Sequence, residues 1–227
     1  MEVVEERIKV NQHNSLLQLC RLSSDIEQVV ASFDELPETD HADGKYRLRA
    51  YSQLRASGQG HITRLPARSF TQSSRYNKLQ GDITRRFKDI HHSVIDSDFM
   101  REMCHLFLSC GDLTGDTKIE IHQIRVVTLF DSTEVSPEGV HQDGYDCIAM
   151  VGANRHNVTG GELLVYDDKT KSPFLTRTLE SGDMIMLDDK RLWHNANPIE
   201  SLMSTKQGHM DLFVLTAKNN TEEIRKT

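Results

Sequence analysis

The sequence contains no run of about 18 apolar residues, so no helical membrane span is expected. It also lacks a basic excess: 27 Lys and Arg stand against 34 Asp and Glu, a formal net charge of −7. That balance argues against a nucleic-acid backbone as partner and is read as a solubility feature. Cysteine is sparse. Cys20, Cys104, Cys110 and Cys147 form no C-x-x-C pair, which removes a zinc knuckle or a dithiol redox motif from consideration. The first ten residues are charged (Glu2, Glu5, Glu6, Arg7, Lys9) and have no apolar centre, so no secretory leader is read there. The cysteines are then expected to be reduced thiols in a cytoplasmic protein, and the N-x-T strings at Asn157 and Asn219 to be chance matches. No internal repeat is present.

What the chain does have is a change of texture. Its 227 residues suit one domain with a single core. Residues 13–33 space Leu16, Leu17, Leu19, Cys20, Ile26, Val29, Val30 and Phe33 as an amphipathic helix would. Residues 45–80 are basic and weakly periodic, and read as irregular with short strands. Residues 82–108 read as two helices broken near Asp96-Ser97-Asp98, with Ser97 capping the second. The first 110 residues are thus expected to be helical or irregular. After Gly111 the run from Ile119 to Phe130 is β-branched and bounded by turn residues, a strand. Further strands are predicted at 145–151, 161–166, 174–179, 184–188 and 211–217, separated by Gly, Pro and Asn turns. Short strands at regular spacing predict a mainly β sandwich or barrel over 111–217, followed by a frayed tail at 218–227.

H-x-[DE] strings are common by chance, roughly 1.6 at this composition, and the chain holds three: His41/Asp43, His141/Asp143 and His209/Asp211. His41 sits in a polar turn with no rigid element behind it. His209 has no histidine after it to complete a set. His141 and Asp143 enter a β segment, where i, i+2 side chains share one face. His194 follows 53 positions later, beside another predicted strand end. Two imidazoles and one carboxylate on one face of an octahedron leave three positions free, the ligand set of ferrous oxygenases. On composition alone, ordinary polar or half-buried histidines are the better explanation of His141 and His194, by roughly two to one. Gly144, and Gly160-Gly161 before Glu162, suit tight backbone approaches beside such a site.

Several strings resemble the iron- and 2-oxoglutarate-dependent dioxygenase family that includes bacterial L-isoleucine 4-hydroxylase and related free amino-acid hydroxylases. They are Arg47-Leu48-Arg49-Ala50-Tyr51-Ser52, His122-Gln123-Ile124-Arg125, His141-Gln142-Asp143-Gly144, Gly160-Gly161-Glu162, Trp193-His194 with Asn197-Pro198-Ile199, and Gly208-His209-Met210-Asp211 through Thr216. The resemblance spans about residues 45–217. It implies a double-stranded β-helix (jelly-roll) core with the N-terminal α-helices packed outside, a ferrous ion, 2-oxoglutarate and dioxygen. It further implies a small-molecule substrate, an amino acid, oxidised at an unactivated C–H, with hydroxylation leading desaturation and ring closure.

The resemblance also exposes a departure. Family members carry arginine just before the aspartate of the last strand, where it pairs with the far carboxylate of 2-oxoglutarate; here the position is Met210. A thioether cannot supply that bidentate contact. Arg125 or Lys206 takes the role, or neutral donors do, or the enzyme is an oxidase on the same barrel that needs no 2-oxoglutarate. A metal-binding jelly roll without oxygenase chemistry is the remaining alternative. Arg47 and Arg49 are candidates to clamp a substrate carboxylate, with Tyr51 and Trp193 beside the substrate. Trp193 is also read as packing near the metal loop, and His122 as a core histidine.

Overall fold

The computed structural model describes residues 6–8, 16–56, 61–111, 113 and 117–218. The strands in chain order are β1 (Glu6–Ile8), β2 (Leu17–Arg21), β3 (Arg47–Ala56), β4 (Ile62–Arg64), β5 (Lys118–Val127), β6 (Cys147–His156), β7 (Val158–Gly160), β8 (Leu163–Tyr166), β9 (Leu175–Arg177), β10 (Asp183–Asp188), β11 (Trp193–Ala196), β12 (Ile199–Ser201) and β13 (His209–Ala217). Helices α1 (Glu27–Val30), α2 (His92–Ile95) and α3 (Asp98–Cys110) come from the N-terminal half.

Eight strands form one antiparallel sheet in the order β1-β2-β10-β6-β13-β5-β3-β4. The second layer is built from β11-β8-β9 and the pair β12-β7. Two isolated bridges, Thr133 with Ile199 and His141 with His194, extend that smaller layer. The result is the mainly β, double-stranded β-helix arrangement with helices on the outside. No helix among the described residues is long and apolar enough to cross a membrane.

Period-two alternation assigns the large sheet two different faces. Ile119 and Ile121 of β5, Ala149 and Val151 of β6, Met184 and Met186 of β10, and Phe213 and Leu215 of β13 join one apolar cluster with Phe99, Met103 and Phe107 of α3. Phe213 meets Phe33 edge-on at 5.1 Å and Phe99 at 6.0 Å between centroids, so one ring ties β13 to the helical layer. The opposite face turns Ile124, Val126, Ile148, Met150, Leu212 and Val214 toward the smaller layer. Ser97 caps α3 as its position predicts, its hydroxyl accepting from Met100 N at 3.1 Å.

The N-terminal half departs from expectation. Leu17–Arg21 is a strand filling the edge of β10, and helix begins only at Glu27. Leu16, Leu17, Leu19 and Cys20 fit either period, and the open edge of β10 decides for strand. Residues 47–56, expected to be irregular with short strands, form a ten-residue strand along β5. Its alternation is concealed because Arg47, Arg49, Tyr51 and Gln53 occupy one face, the reverse of the usual apolar interior. Residues 82–91 are not helical; Arg85 bridges Phe70 and Lys88 bridges Ala50. Residue 110 is therefore no boundary, since β2, β3 and β4 share the sheet with the later strands. The strands β11 and β12 were not expected. Apart from Lys218, the tail at 218–227 lies outside the described residues, as does Asn219.

Because Phe213 joins both layers at zero exposure, Phe213→Ala is expected to cost about 3–5 kcal/mol of unfolding free energy. Urea denaturation followed by circular dichroism checks this; a loss under 1 kcal/mol would show that the sheet and helices do not depend on that contact.

Candidate metal centre and its cavity

His141 and His194 are bonded through their backbones, His141 N to His194 O and His194 N to His141 O, both at 2.9 Å. Their rings lie 4.3 Å apart between centroids. Asp143, two residues on, reaches the same point: its Oδ1 is 3.6 Å from His141 Nε2 and its Oδ2 is 3.6 Å from His194 Nε2. One ligand atom from each residue falls within 4.8 Å of the other two.

The supporting contacts orient these donors. His141 Nδ1 lies 2.8 Å from the Gly139 carbonyl oxygen, which it meets as donor, leaving Nε2 free for the shared point. Gln72 Nε2 donates to Asp143 Oδ1 at 2.9 Å, and Asn77 Nδ2 donates to both Gln72 Oε1 at 3.1 Å and Glu138 Oε1 at 3.0 Å. Asp189, fully buried, accepts from the backbone N–H groups of Asp143, Gly144 and Tyr145 at 3.0, 2.7 and 2.9 Å. Gly144 has φ +86°, and a Cβ there would stand 2.5 Å from the Tyr76 ring, so glycine is required at this turn.

Electrostatics follow from burial and proximity. Burial raises the Asp143 carboxyl, but His141 and His194 outweigh it and hold the group well below the usual carboxylate range. Burial opposes charge on His141, yet the Asp143 contact raises it to about 9. Burial and then the neighbouring His141 lower His194 to about 4. Burial and the Asp143 charge raise Asp189 to about 6. Two imidazole nitrogens and one carboxylate converge, with no further His, Cys, Asp or Glu in the group among the described residues, and fit a ferrous ion that keeps open positions.

The triad opens onto a cavity of about 140 Å³ between the two layers. Ile148, Met150, Leu163, Leu212 and Val214 form its apolar walls. Arg47, Arg49, Arg85, His122 and Glu138 form its polar end. Arg47 donates to Asp43 at 2.8 Å and lies 3.8 Å from Glu138. Asn195 Oδ1, beside His194, is buried without a partner.

Of the residues singled out from sequence, His141, Asp143 and His194 are brought together, and Arg47, Arg49 and Met210 line the cavity. Arg125 does not line it: its guanidinium is taken by Asp211 at 2.7 and 2.8 Å and by Asp34 at 2.5 Å, on the helical face of β5. Lys206 is exposed in the 202–206 turn, too far out for a role inside. Tyr51 stacks behind His122 at 4.8 Å, and Trp193 is half-buried on the outer side under the Lys169 ammonium. Sequence reasoning missed Gln72, Arg85, Glu138, Arg155 and Asp189. Arg155 on β6 faces Met210 on β13 in register, and its Nη1 donates to Met210 Sδ at 3.1 Å.

Metal binding must displace the proton that His141 holds below pH about 9. Affinity for a divalent ion is therefore expected to fall about tenfold per unit as pH drops from 9 toward 7, with close to one proton released per ion at pH 7.5. Titration calorimetry in buffers of different ionisation enthalpy checks this, and a proton count near zero would contradict it. Asp189→Ala leaves three buried N–H groups without an acceptor, and is expected to weaken metal affinity about 10- to 100-fold in the same experiment.

A family model described as 2OG-Fe dioxygenase matches residues 30–216. No curated protein matches the chain. Among solved structures, a bsmA homolog from Methylobium petroleophilum PM1 is 28% identical with a TM-score of 0.73, over 85% of this chain and 80% of that one. IDO from Bacillus thuringiensis is 15% identical with a TM-score of 0.72, over 90% of each chain. TqaL, an Fe(II)/(alpha)ketoglutarate-dependent dioxygenase, is 14% identical with a TM-score of 0.61, over 88% and 76%. The last two likenesses bear on the fold alone. The matched segment takes in the triad and the cavity strands, and the chain belongs to the 2OG-Fe dioxygenase family, an enzyme that uses Fe(II), 2-oxoglutarate and dioxygen.

Proposed function

We propose that His141, Asp143 and His194 hold one ferrous ion and that the enzyme hydroxylates an unactivated C–H of a small free amino acid. The observation that carries this reading is the triad on a small cavity lined both by aliphatic side chains and by a group of buried arginines. With iron bound, oxidative decarboxylation of 2-oxoglutarate to succinate and carbon dioxide supplies the oxidising power. The protein's part is placement. The aliphatic walls exclude water from the reacting carbon, and Arg49 of β3 anchors the acid group of the substrate. Bacterial L-isoleucine 4-hydroxylase, the relative suggested by the sequence motifs, acts on a substrate of this kind.

The far carboxylate of 2-oxoglutarate needs a cation, because burying it unpaired is costly. Arg155 is the residue that would hold it. Its guanidinium touches Met210, the position that carries arginine elsewhere in the family, and is anchored by donating to Gly160 O at 2.5 Å. Gly161 next door has φ +73°, and a Cβ there would stand 2.9 Å from Met210 Sδ, so the backbone leaves room at this point. The cation is then supplied from the neighbouring strand.

The test is anaerobic loading with Fe(II), addition of 2-oxoglutarate and a panel of aliphatic amino acids, then oxygen, with succinate and hydroxylated product measured by mass spectrometry. Succinate formation coupled to a product 16 mass units heavier is expected, and Asp143→Ala is expected to lower turnover at least about 1,000-fold. Succinate that no amino acid stimulates would contradict the substrate class. Arg155→Leu is expected to raise the KM for 2-oxoglutarate by about tenfold or more, as loss of a charge-assisted pair implies. An unchanged KM would reassign that contact.

A further inference from the structure

Arg49 and Arg85 are both buried, at 6% and 2% exposure, and both line the cavity that holds the triad. Neither forms an ion pair among the described residues, whereas Arg47 beside them is engaged by Asp43 and Glu138. Aromatic faces take part of the charge: Arg49 lies 5.3 Å from the Phe87 ring centre and Arg85 lies 4.8 Å from that of Phe70. Arg85 Nε is buried with no hydrogen-bond partner among the described residues. The third group at this end, His122, is of no help. Burial and then Arg49 and Arg85 push its pKa well down, so it is neutral, and its Nδ1 is also unpartnered.

Buried arginine is normally paired, because desolvating a charge without a partner costs several kcal/mol. Two such groups side by side also repel each other. Burial, then Arg47, then Arg85 bring Arg49 down to about 9. An arrangement that is unfavourable when empty and lies in an enclosed site is complementary to an anion. Each guanidinium offers a planar fork that matches the two oxygens of a carboxylate.

We infer that Arg49 and Arg85 form a twin-guanidinium subsite that takes a carboxylate of the substrate, with Arg47 withheld from it by Asp43 and Glu138. Arg85 becomes a specificity-determining residue contributed by the segment between β4 and α2, outside the strands of the barrel. Glu138, at the same end of the cavity, is placed to receive an ammonium group when the substrate carries one. The subsite deepens the amino-acid reading and rests on it for the identity of the reaction, but not for the binding of the anion.

The experiment is thermal unfolding of the full chain, kept anaerobic with Fe(II) and 2-oxoglutarate present. The added probes are 3-methylbutanoate, 3-methylbutanamide and inorganic phosphate. The acid is expected to raise Tm in a saturable way and the amide to do so at least tenfold less tightly. Arg49→Gln and Arg85→Gln are expected to weaken the acid at least tenfold and leave the amide unchanged. Arg85→Lys, which keeps the charge and loses the fork, is expected to fall between, and stands in should the glutamine variants not fold. Acid and amide binding alike, variants that bind the acid as the wild type does, or phosphate binding tighter than the acid would each overturn the carboxylate subsite. Succinate released after oxygen is admitted, without any acid present, is measured in parallel. A loss of the 2-oxoglutarate-induced rise in Tm in Arg85→Gln would assign the pair to 2-oxoglutarate and overturn the proposal. Absence of succinate in the wild type itself would sink the oxygenase reading and leave the anion-binding result to stand or fall alone.

Discussion

Two backbone hydrogen bonds between His141 and His194 hold the functional half of this molecule in place. They bring together segments 53 residues apart, one following β5 and the other on β11. Asp143 is positioned by the same segment, with Asp189 gripping its backbone and Gln72 its carboxylate. The contacts come from three separate stretches of chain, so the site depends on the closed barrel. A loose sheet would let the two histidines drift, and a ligand set misplaced by about 1 Å loses much of its value.

The barrel interior serves two opposed demands. The proposed reaction at an unactivated carbon calls for a dry, aliphatic space, and Ile148, Met150, Leu163, Leu212 and Val214 line the cavity with apolar side chains. Binding charged small molecules calls for buried cations, which destabilise an apolar interior unless something answers them. The structure separates the two along the cavity. Apolar residues cluster beside β13 and β6, while Arg47, Arg49 and Arg85 gather toward β3 and the segment before α2. Arg125, on the same strand as His122 but facing the helices, is neutralised by Asp211 and Asp34 and belongs to the scaffold.

The later strands were legible because their alternation follows the usual rule, apolar residues toward a core, and because glycine and proline mark the turns. The triad was legible because H-x-D on an extended segment followed by a distant histidine is a physical pattern, given weight by the neighbouring motifs. The first half was harder to read for definite reasons. Leu16–Cys20 satisfies helical and extended periods alike, and only the vacant edge of β10 selects the strand. In β3 the buried face is polar, so a search for hydrophobic alternation sees nothing there. Asp189, Gln72 and Arg85 act through contacts made by folding, with partners at sequence separations of tens of residues, and no local pattern marks them. The substitution at Met210 was visible in the sequence. The nearby guanidinium of Arg155 was not, since the pairing of β6 with β13 across a bulge at Asp211 is what brings it there.

The most direct measurement is the iron-edge anomalous difference map of a crystal grown anaerobically with Fe(II). One peak at bonding distance from His141 Nε2, His194 Nε2 and an Asp143 oxygen, with no fourth protein ligand, is the predicted result. Iron bound elsewhere, or held at this point by four or more side chains, would contradict the account.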